Sequence, residues 1–406
     1  MLALPTAAIE VDSGSFFAIV TVAAVAAITG AAVPRRFAQP VVVIELMMGI
    51  LIGPEVLGLA HSDAFVEFFS NLGLGMLFFF AGYEIDFQRI KGAPLRLGAF
   101  GWLLSVVLAY GLGGILAAAG VVVSFLYTGS AMATTAIGTL IPILRDNGEL
   151  KTRFGTHLLA AGGAGEFGPI LLVTLVLSTT NPFREAAILL AFVALALILA
   201  LVSVRFAWRG WPALERTFEA SSQLAVRVTV VLVFGLVLLA GTLGLDILLG
   251  GFVAGMITRL ALKGHELQVF ESKLTAVGFG FFVPFFFVTS GIEFDLAALG
   301  SAEAIAKLFL FLALFLIVRG VPAMLLYRRV LDARDRMALA FYCATELPLV
   351  VAITTIAIDA GEMHSSTAAG LVGAAMLSTL IYPFVGMALR RRSRDDAPGD
   401  AVVATA

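Results

Sequence analysis

Phe78-Phe79-Phe80-Ala81-Gly82-Tyr83-Glu84-Ile85-Asp86-Phe87 returns in the second half of the chain as Phe285-Phe286-Phe287-Val288-Thr289-Ser290-Gly291-Ile292-Glu293-Phe294-Asp295-Leu296. Both copies run from a phenylalanine cluster into Gly-x-Glu-apolar-Asp. A second pair keeps nearly the same offset, with Ala133-Thr134-Thr135 against Ala344-Thr345-Glu346. Two paired motifs in register mark a duplication, and the relative direction of the copies decides the fold.

The surroundings of these motifs are apolar. The chain has 406 residues, of which 60% are hydrophobic and 13% charged, with a mean hydropathy of +1.02. Such a composition identifies an integral membrane protein. Each spanning helix needs about 20 apolar residues. Dividing the chain at its polar breaks predicts helices at 14–33, 38–57, 66–86, 97–119, 123–144, 156–178, 185–205, 224–243, 245–262, 274–292, 303–327, 337–358 and 367–389. Gly241-Thr242-Leu243-Gly244 is read as a short hairpin between the eighth and ninth. With no basic residue before Arg35, the first stretch does not resemble a cleaved signal peptide.

Charge placement orients these spans. Alternate loops hold Arg35 and Arg36; Arg89, Lys91 and Arg96; Arg145, Lys151 and Arg153; Arg205, Arg209 and Arg216. The series continues with Arg259, Lys263 and Lys273, then Arg328, Arg329, Arg334 and Arg336, then Arg390, Arg391, Arg392 and Arg394. The opposite loops carry Asp63, Glu67, Glu185, Asp246, Glu293, Asp295, Asp359 and Glu362, with Arg184 and Lys307 as their only bases. The positive-inside rule then puts the N-terminus outside and the C-terminus in the cytoplasm. The first Phe–Gly–Glu–Asp motif finishes inside and the second outside, so helices two to six and nine to thirteen read as five-helix repeats of opposite orientation. Inverted repeats are the sequence mark of alternating-access transporters. The expected class is an all-α polytopic membrane protein with about thirteen spans and crossed discontinuous helices.

Glu166 lies near the middle of the apolar stretch His157–Ser178, in Gly162-Gly163-Ala164-Gly165-Glu166-Phe167-Gly168-Pro169. A carboxylate at that depth costs roughly 3 kcal/mol on insertion scales, so it needs a partner, a proton or an ion. The fifth span offers Thr134 and Thr135 with Gly138 and Pro142 beyond, and the twelfth offers Thr345-Glu346-Leu347-Pro348. Both read as helix breaks near the midplane, where threonine hydroxyls bond freed carbonyls or ligate an ion and Pro348 leaves an acceptor free. Arg319, inside the eleventh span, is either a snorkelling side chain or a fixed cation that neutralises Glu346 or Glu166, or holds the broken helices together. Glu45 reads as structurally paired. Glu84, Asp86, Glu293 and Asp295 read as helix-boundary markers.

Other chemistry is excluded by what the sequence lacks. One cysteine, Cys343, forms neither a disulfide framework nor a thiolate metal site, and His61, His157, His265 and His364 are scattered. There is no Walker A sequence, no His-Glu-x-x-His, no Gly-x-Ser-x-Gly and no Thr-Val-Gly-Tyr-Gly filter. No residue is assigned a catalytic role, no metal is expected beyond a transported monovalent cation, and no cofactor or nucleic-acid partner is implied.

The chain resembles the bacterial monovalent cation:proton antiporters, in the branch holding sodium/proton antiporters and potassium-efflux systems. The likeness covers nearly all of 14–390 and rests on Gly49-Ile50-Leu51-Ile52-Gly53-Pro54, Leu77 through Asp86, Thr135-Ala136-Ile137 through Leu144-Arg145-Asp146, and Thr345-Glu346-Leu347-Pro348-Leu349. It implies one transmembrane domain over 1–394, with a dimerisation part at 14–65 and 185–273 and a mobile core part at 66–178 and 274–390. It also implies an ion-binding carboxylate on the sixth helix, matched by Glu166, and a basic residue on the eleventh, matched by Arg319. Relatives carry Asp-Asp, Asn-Asp or Gln-Asp where this chain has Gly165-Glu166, so a second charge or amide is missing. Potassium-efflux relatives continue into a cytoplasmic nucleotide-binding domain; here only 395–406 remain, read as a short cytoplasmic tail.

The expected activity is electroneutral exchange of Na+ or K+ for H+, with Glu166 holding one or the other in turn. The expected setting is a bacterial inner membrane. A homodimer is expected through the glycines of the second and ninth helices. A proton- or sodium-coupled carrier of an organic solute is the alternative, requiring a roomy apolar cavity lined by Phe282, Phe286 and Phe287. A channel or sensor without coupled transport is a third reading.

Overall fold

Polar breaks between long apolar runs leave the backbone no choice in a bilayer but helices, whose hydrogen bonds are satisfied internally. The computed structural model describes residues 12–32, 41–84, 90–150, 152–176, 223–243, 247–261 and 265–396, with short pieces between 187 and 202. Its helices are α1 Ser13–Ala32, α2 Val41–Ile52, α3 Ala64–Glu84, α4 Ala93–Ala118, α5 Phe125–Met132, α6 Ile137–Asp146, α7 Arg153–Val176 and α8 Leu224–Thr242. They continue as α9 Ile247–Ala261, α10 His265–Val277, α11 Val283–Ile292, α12 Ala302–Leu326, α13 Ala333–Cys343, α14 Pro348–Asp359 and α15 Ser365–Asp396. Among the described residues, seven helical stretches are long and apolar enough to cross a membrane. Every predicted span except 185–205 coincides with one of these helices or with a broken pair. Of that seventh span only those short pieces are described; the basic residues Arg35, Arg36, Arg89, Lys151, Arg184, Arg205, Arg209, Arg216 and Lys263, the acids Asp86, Glu185 and Asp246, and the tail after 396 lie outside the described residues.

Two spans are interrupted where expected. The fifth stops at Met132 and resumes at Ile137; the twelfth stops at Cys343 and resumes at Pro348. Pro348 occupies the first turn of α14, where a missing N–H removes no helical bond. The two breaks touch: Ala136 N–H donates to Thr345 O at 2.8 Å. By contrast Pro169 does not interrupt α7, and Pro284 follows a π-helical turn, Gly278–Phe282, that joins α10 to α11.

The duplication is visible in the packing. A methyl group at Gly82 would overlap the carbonyl oxygen of Phe252, and one at Gly255 would overlap that of Phe79. The second repeat makes the same exchange with the first: Gly291 lies on the Leu46 carbonyl and Gly49 on that of Val288. Thus α3 presses on α9 and α11 presses on α2, backbone against backbone, in two copies of one contact. Such close approach is what small residues in membrane helices allow.

These contacts correct one expectation. The glycines of the second and ninth helices are consumed inside the chain, so they do not form a surface for dimerisation. The packing also crosses the division made from sequence: α3 and α11, placed in the core part, pack intimately on α9 and α2 of the other part. A second group forms where α4 packs on α7, α12 on α15, and α4 on α12. Between the groups, α9 meets α7, α3 meets α6, and α2 meets α15.

Candidate functional site

The crossing of the two breaks gathers the residues singled out from sequence. A helix end leaves amides free at its N-terminus and carbonyls free at its C-terminus, with partial charges of matching sign. The crossing therefore brings the carbonyl ends of α5 and α13 and the amide ends of α6 and α14 into one apolar interior. Charged side chains placed there are answering those ends.

Glu166 on α7 is buried, and the Gly138 N–H in the first turn of α6 donates to its carboxylate. The glycine there and the start of a helix together offer an anion a backbone amide. The other carboxylate oxygen, Oε2, is buried without a hydrogen-bond partner. One side is held and the other is left for a proton or an ion. One residue further on, the Phe167 ring stacks on Phe252 of α9 at 4.9 Å, so the carboxylate sits at the seam between the two helix groups.

Arg319 is 4% exposed and does not snorkel. Its Nη2 donates to Thr135 Oγ1 at 2.8 Å and Ala161 O at 3.3 Å, and its Nη1 to Ser105 Oγ at 3.0 Å. Its Nε donates to Thr135 Oγ1 at 3.0 Å and Cys343 O at 3.4 Å. Four helical elements are joined by one guanidinium: α4, the fifth-span break, α7 and the carbonyl end of α13. Among the described residues it makes no ion pair within 4 Å with Glu166 or Glu346, so its partners are neutral oxygens rather than the expected carboxylates. Gly165 is what admits it, because a side chain there would overlap Nη2.

The threonines are committed. Thr135 Oγ1 accepts from Arg319 and donates to Cys343 O at 2.6 Å. Thr134 Oγ1 donates to Ala131 O at 3.1 Å and stands beside Glu346. Thr345 Oγ1 donates to Phe341 O at 3.2 Å, while its carbonyl accepts the Ala136 amide. Glu346 is fully buried just before α14; its amide donates to Ser378 Oγ at 3.0 Å and its carbonyl accepts from Ser378 and Thr379. Neither of its carboxylate oxygens has a partner.

Several supports escaped the sequence reading. Ser105, Ser378 and Thr379 hold Arg319 and Glu346, and the Trp102 Nε1–H donates to Ala133 O at 3.2 Å in the fifth-span break. Their signal was available, since hydroxyls in otherwise apolar spans mark interhelical bonds. Glu45 is buried on α2 but has no ion pair among the described residues. Glu293 accepts from Ser62, and Asp295 accepts the Ala298 amide at 2.8 Å, as boundary acids do. Phe282, Phe286 and Phe287 are packed against other rings, with Phe282 on Phe69 and Phe286 on Phe287. Among the described residues no cluster of His, Cys, Asp or Glu could hold a metal ion.

A family model described as "Sodium/hydrogen exchanger, transmembrane" matches residues 21–389. The chain is 25% identical over 377 residues to the putative Na(+)/H(+) antiporter YjbQ of Bacillus subtilis, covering 88% of this chain and 60% of that protein. It is 28% identical over 277 residues to the Na(+)/H(+)-K(+) antiporter GerN of Bacillus cereus, covering 66% of this chain and 68% of that one. With a cation/H(+) antiporter of Arabidopsis thaliana it shares 26% identity over 388 residues, spanning 48% of that longer protein. The chain thus spans well under two thirds of the length of some relatives it matches. The solved structure of the sodium proton antiporter MjNhaP1 from Methanocaldococcus jannaschii superposes with a TM-score of 0.62 at 16% identity, covering 96% of this chain and 100% of that one. That likeness is one of fold.

Proposed function

Because this chain belongs to the sodium/hydrogen exchanger family, we propose that it is a secondary antiporter exchanging a monovalent cation, Na+ or K+, for H+ by alternating access. The observation that carries this reading is the Glu166 carboxylate, with one oxygen on the Gly138 amide and the other buried and unpartnered. A buried carboxylate tolerates a proton or a cation but not neither, so the two compete. One titrating group that carries one proton or one monovalent cation exchanges them one for one, and exchange is electroneutral. Arg319 does not enter this arithmetic, because its charge stays fixed on neutral oxygens throughout.

The helix packing supports a division of labour. Helices α1–α3 and α8–α11 form the scaffold, on whose far side a second copy of the chain docks; α4–α7 and α12–α15 form the unit that moves. The Phe167–Phe252 stack lies on the sliding seam. The loop charges support an orientation with the N-terminus outside and the C-terminus in the cytoplasm, in the membrane of a bacterial cell. An organic-solute carrier finds no support, since the aromatic residues it needed are packed against one another.

The test is proton flux in proteoliposomes with Na+, K+ and Li+ offered separately, with and without a valinomycin clamp. Cation-dependent collapse of an imposed pH gradient, insensitive to the clamp, is expected. Full activity in Glu166→Gln would refute the assignment of the carrier group.

A further inference from the structure

Three backbone oxygens at the break in the twelfth span have hydrogen-bond partners. Cys343 O accepts from Thr135 and Arg319, Thr345 O accepts the Ala136 amide, and Glu346 O accepts two hydroxyls from α15. The Glu346 side chain is different. It is 0% exposed and both of its carboxylate oxygens are buried without a hydrogen-bond partner, whereas in Glu166 only Oε2 is.

The groups facing it come from each element packed around the break. From α12 there is Arg319, from α15 the Tyr382 ring, from α13 Cys343, and from the fifth-span break the hydroxyl of Thr134. Tyr382 spends its hydroxyl proton on Leu312 O at 2.6 Å, and Thr134 spends its own on Ala131 O. All five Arg319 contacts go to other oxygens. Only the Thr134 hydroxyl and the charge of Arg319 stand near enough to support a carboxylate here, and both spend their hydrogen bonds on other oxygens. A buried charge with so little support is a form a protein interior tolerates poorly.

We infer that Glu346 is a second proton site, distinct from the exchange site: it keeps a resident proton in both carrier states, and losing that proton at alkaline pH arrests the moving unit. The inference rests on reading Glu166 as the carrier. With Glu346 neutral, the loaded crossing carries the same charge whether Glu166 holds a proton or a cation. With Glu346 ionised, the crossing gains a negative charge that holds the cation in place. The device would confine exchange to a pH window whose upper edge is set by a residue that never carries cargo.

Net exchange does not isolate this effect, because protons are themselves a substrate and become scarce at high pH. Cation–cation counterflow does, since it moves no net protons. Radiolabelled Na+, or Rb+ for a potassium-selective carrier, is followed into proteoliposomes with saturating cation and equal pH on both sides. A single carrier site makes counterflow rise with pH to a plateau. The resident proton makes it rise and then fall about tenfold per pH unit beyond the upper edge, the slope of one titrating group. In Glu346→Gln, or in Glu346→Met where glutamine impairs folding, the alkaline fall is expected to vanish, leaving the rise to a plateau. A plateau in the wild type, or a fall that persists in both variants, overturns the inference. Loss of counterflow in Glu166→Gln tests the carrier reading separately. Infrared spectroscopy reads the same group without altering it: in a Glu45→Gln/Glu166→Gln background, a protonated carboxyl band present at neutral pH and bleached at alkaline pH is expected. Its absence at neutral pH overturns the inference as well.

Discussion

Gly165 and Arg319 share one volume. The guanidinium occupies the space that a side chain at residue 165 would fill, and a methyl there would overlap Nη2 and lie 2.7 Å from Thr135 Oγ1. The missing side chain next to Glu166 is therefore a seat for a cation that belongs to the protein. Gly165→Ala is expected to destabilise the fold by about 1–3 kcal/mol, in the range of overpacked cores, and to slow exchange. Arg319→Lys in the same background removes Nη2 and should recover part of both. Thermal unfolding in detergent and cation-driven proton flux measure the two effects; no recovery in the double variant would show that the overlap is not the cause.

Arg319→Met is expected to do more harm than its charge alone suggests. It strips donors from Thr135, Ser105, Ala161 O and Cys343 O, and hydrogen bonds to charged groups contribute about 1.5–3 kcal/mol each. Loss of the carbonyl cap on α13 should separate the two breaks, read as faster amide exchange at Ala136, whose bond to Thr345 O joins them.

The paired glycine contacts are expected to separate glycines by location. Gly49→Ala and Gly255→Ala push a methyl into backbone oxygens, with a destabilisation of about 1–3 kcal/mol. Gly114→Ala and Gly235→Ala meet nothing within 4 Å and should be neutral, or stabilising by roughly 0.5–1 kcal/mol through helix propensity. Melting temperatures of the four purified variants, compared side by side, check the ordering.

On α15, Arg390 donates to both oxygens of Glu149, at 3.0 and 3.3 Å, and to Asp335, and its guanidinium lies 4.4 Å above the Phe154 ring. It ties the start of α7, the start of α13 and the end of α15. Arg390→Met leaves two buried carboxylates facing each other and is expected to destabilise by about 3–5 kcal/mol. Adding Asp335→Asn removes one of those charges and should restore a measurable part, read as denaturant or thermal midpoint.

With Glu166 as the proposed shared site, exchange should weaken in acid as the proton displaces the cation. Below the apparent pKa of the site, the cation concentration for half-maximal exchange is expected to rise about tenfold per pH unit. A titration of half-saturation against pH, with pH equal on both sides, checks the slope; a flat line would mean that the proton and cation sites are separate.

Much of this protein was written in its sequence. Hydrophobic runs of bilayer length gave helices because no other backbone is satisfied in lipid. The repeated motifs predicted the duplication, and the Thr-Thr and Thr-Glu-Leu-Pro strings predicted where two helices would break. Glu166 was recognisable as an expensive charge.

What the tertiary structure alone decided were the partners. An arginine in an apolar helix announces a need for acceptors, but those of Arg319 come from α4, a helix break, α7 and α13, far apart along the chain. Read from sequence it was a snorkelling side chain, a counter-ion to Glu166 or Glu346, or a tie between the broken helices; in the fold it is a strut on neutral oxygens at the two breaks. A glycine stripe likewise announces only that something can come close. Those of α2 and α9 close on α11 and α3 of the same chain, because the inverted repeat brings each against the other's backbone. Sequence fixes what each residue requires, and only the assembled helices determine which neighbour meets the requirement.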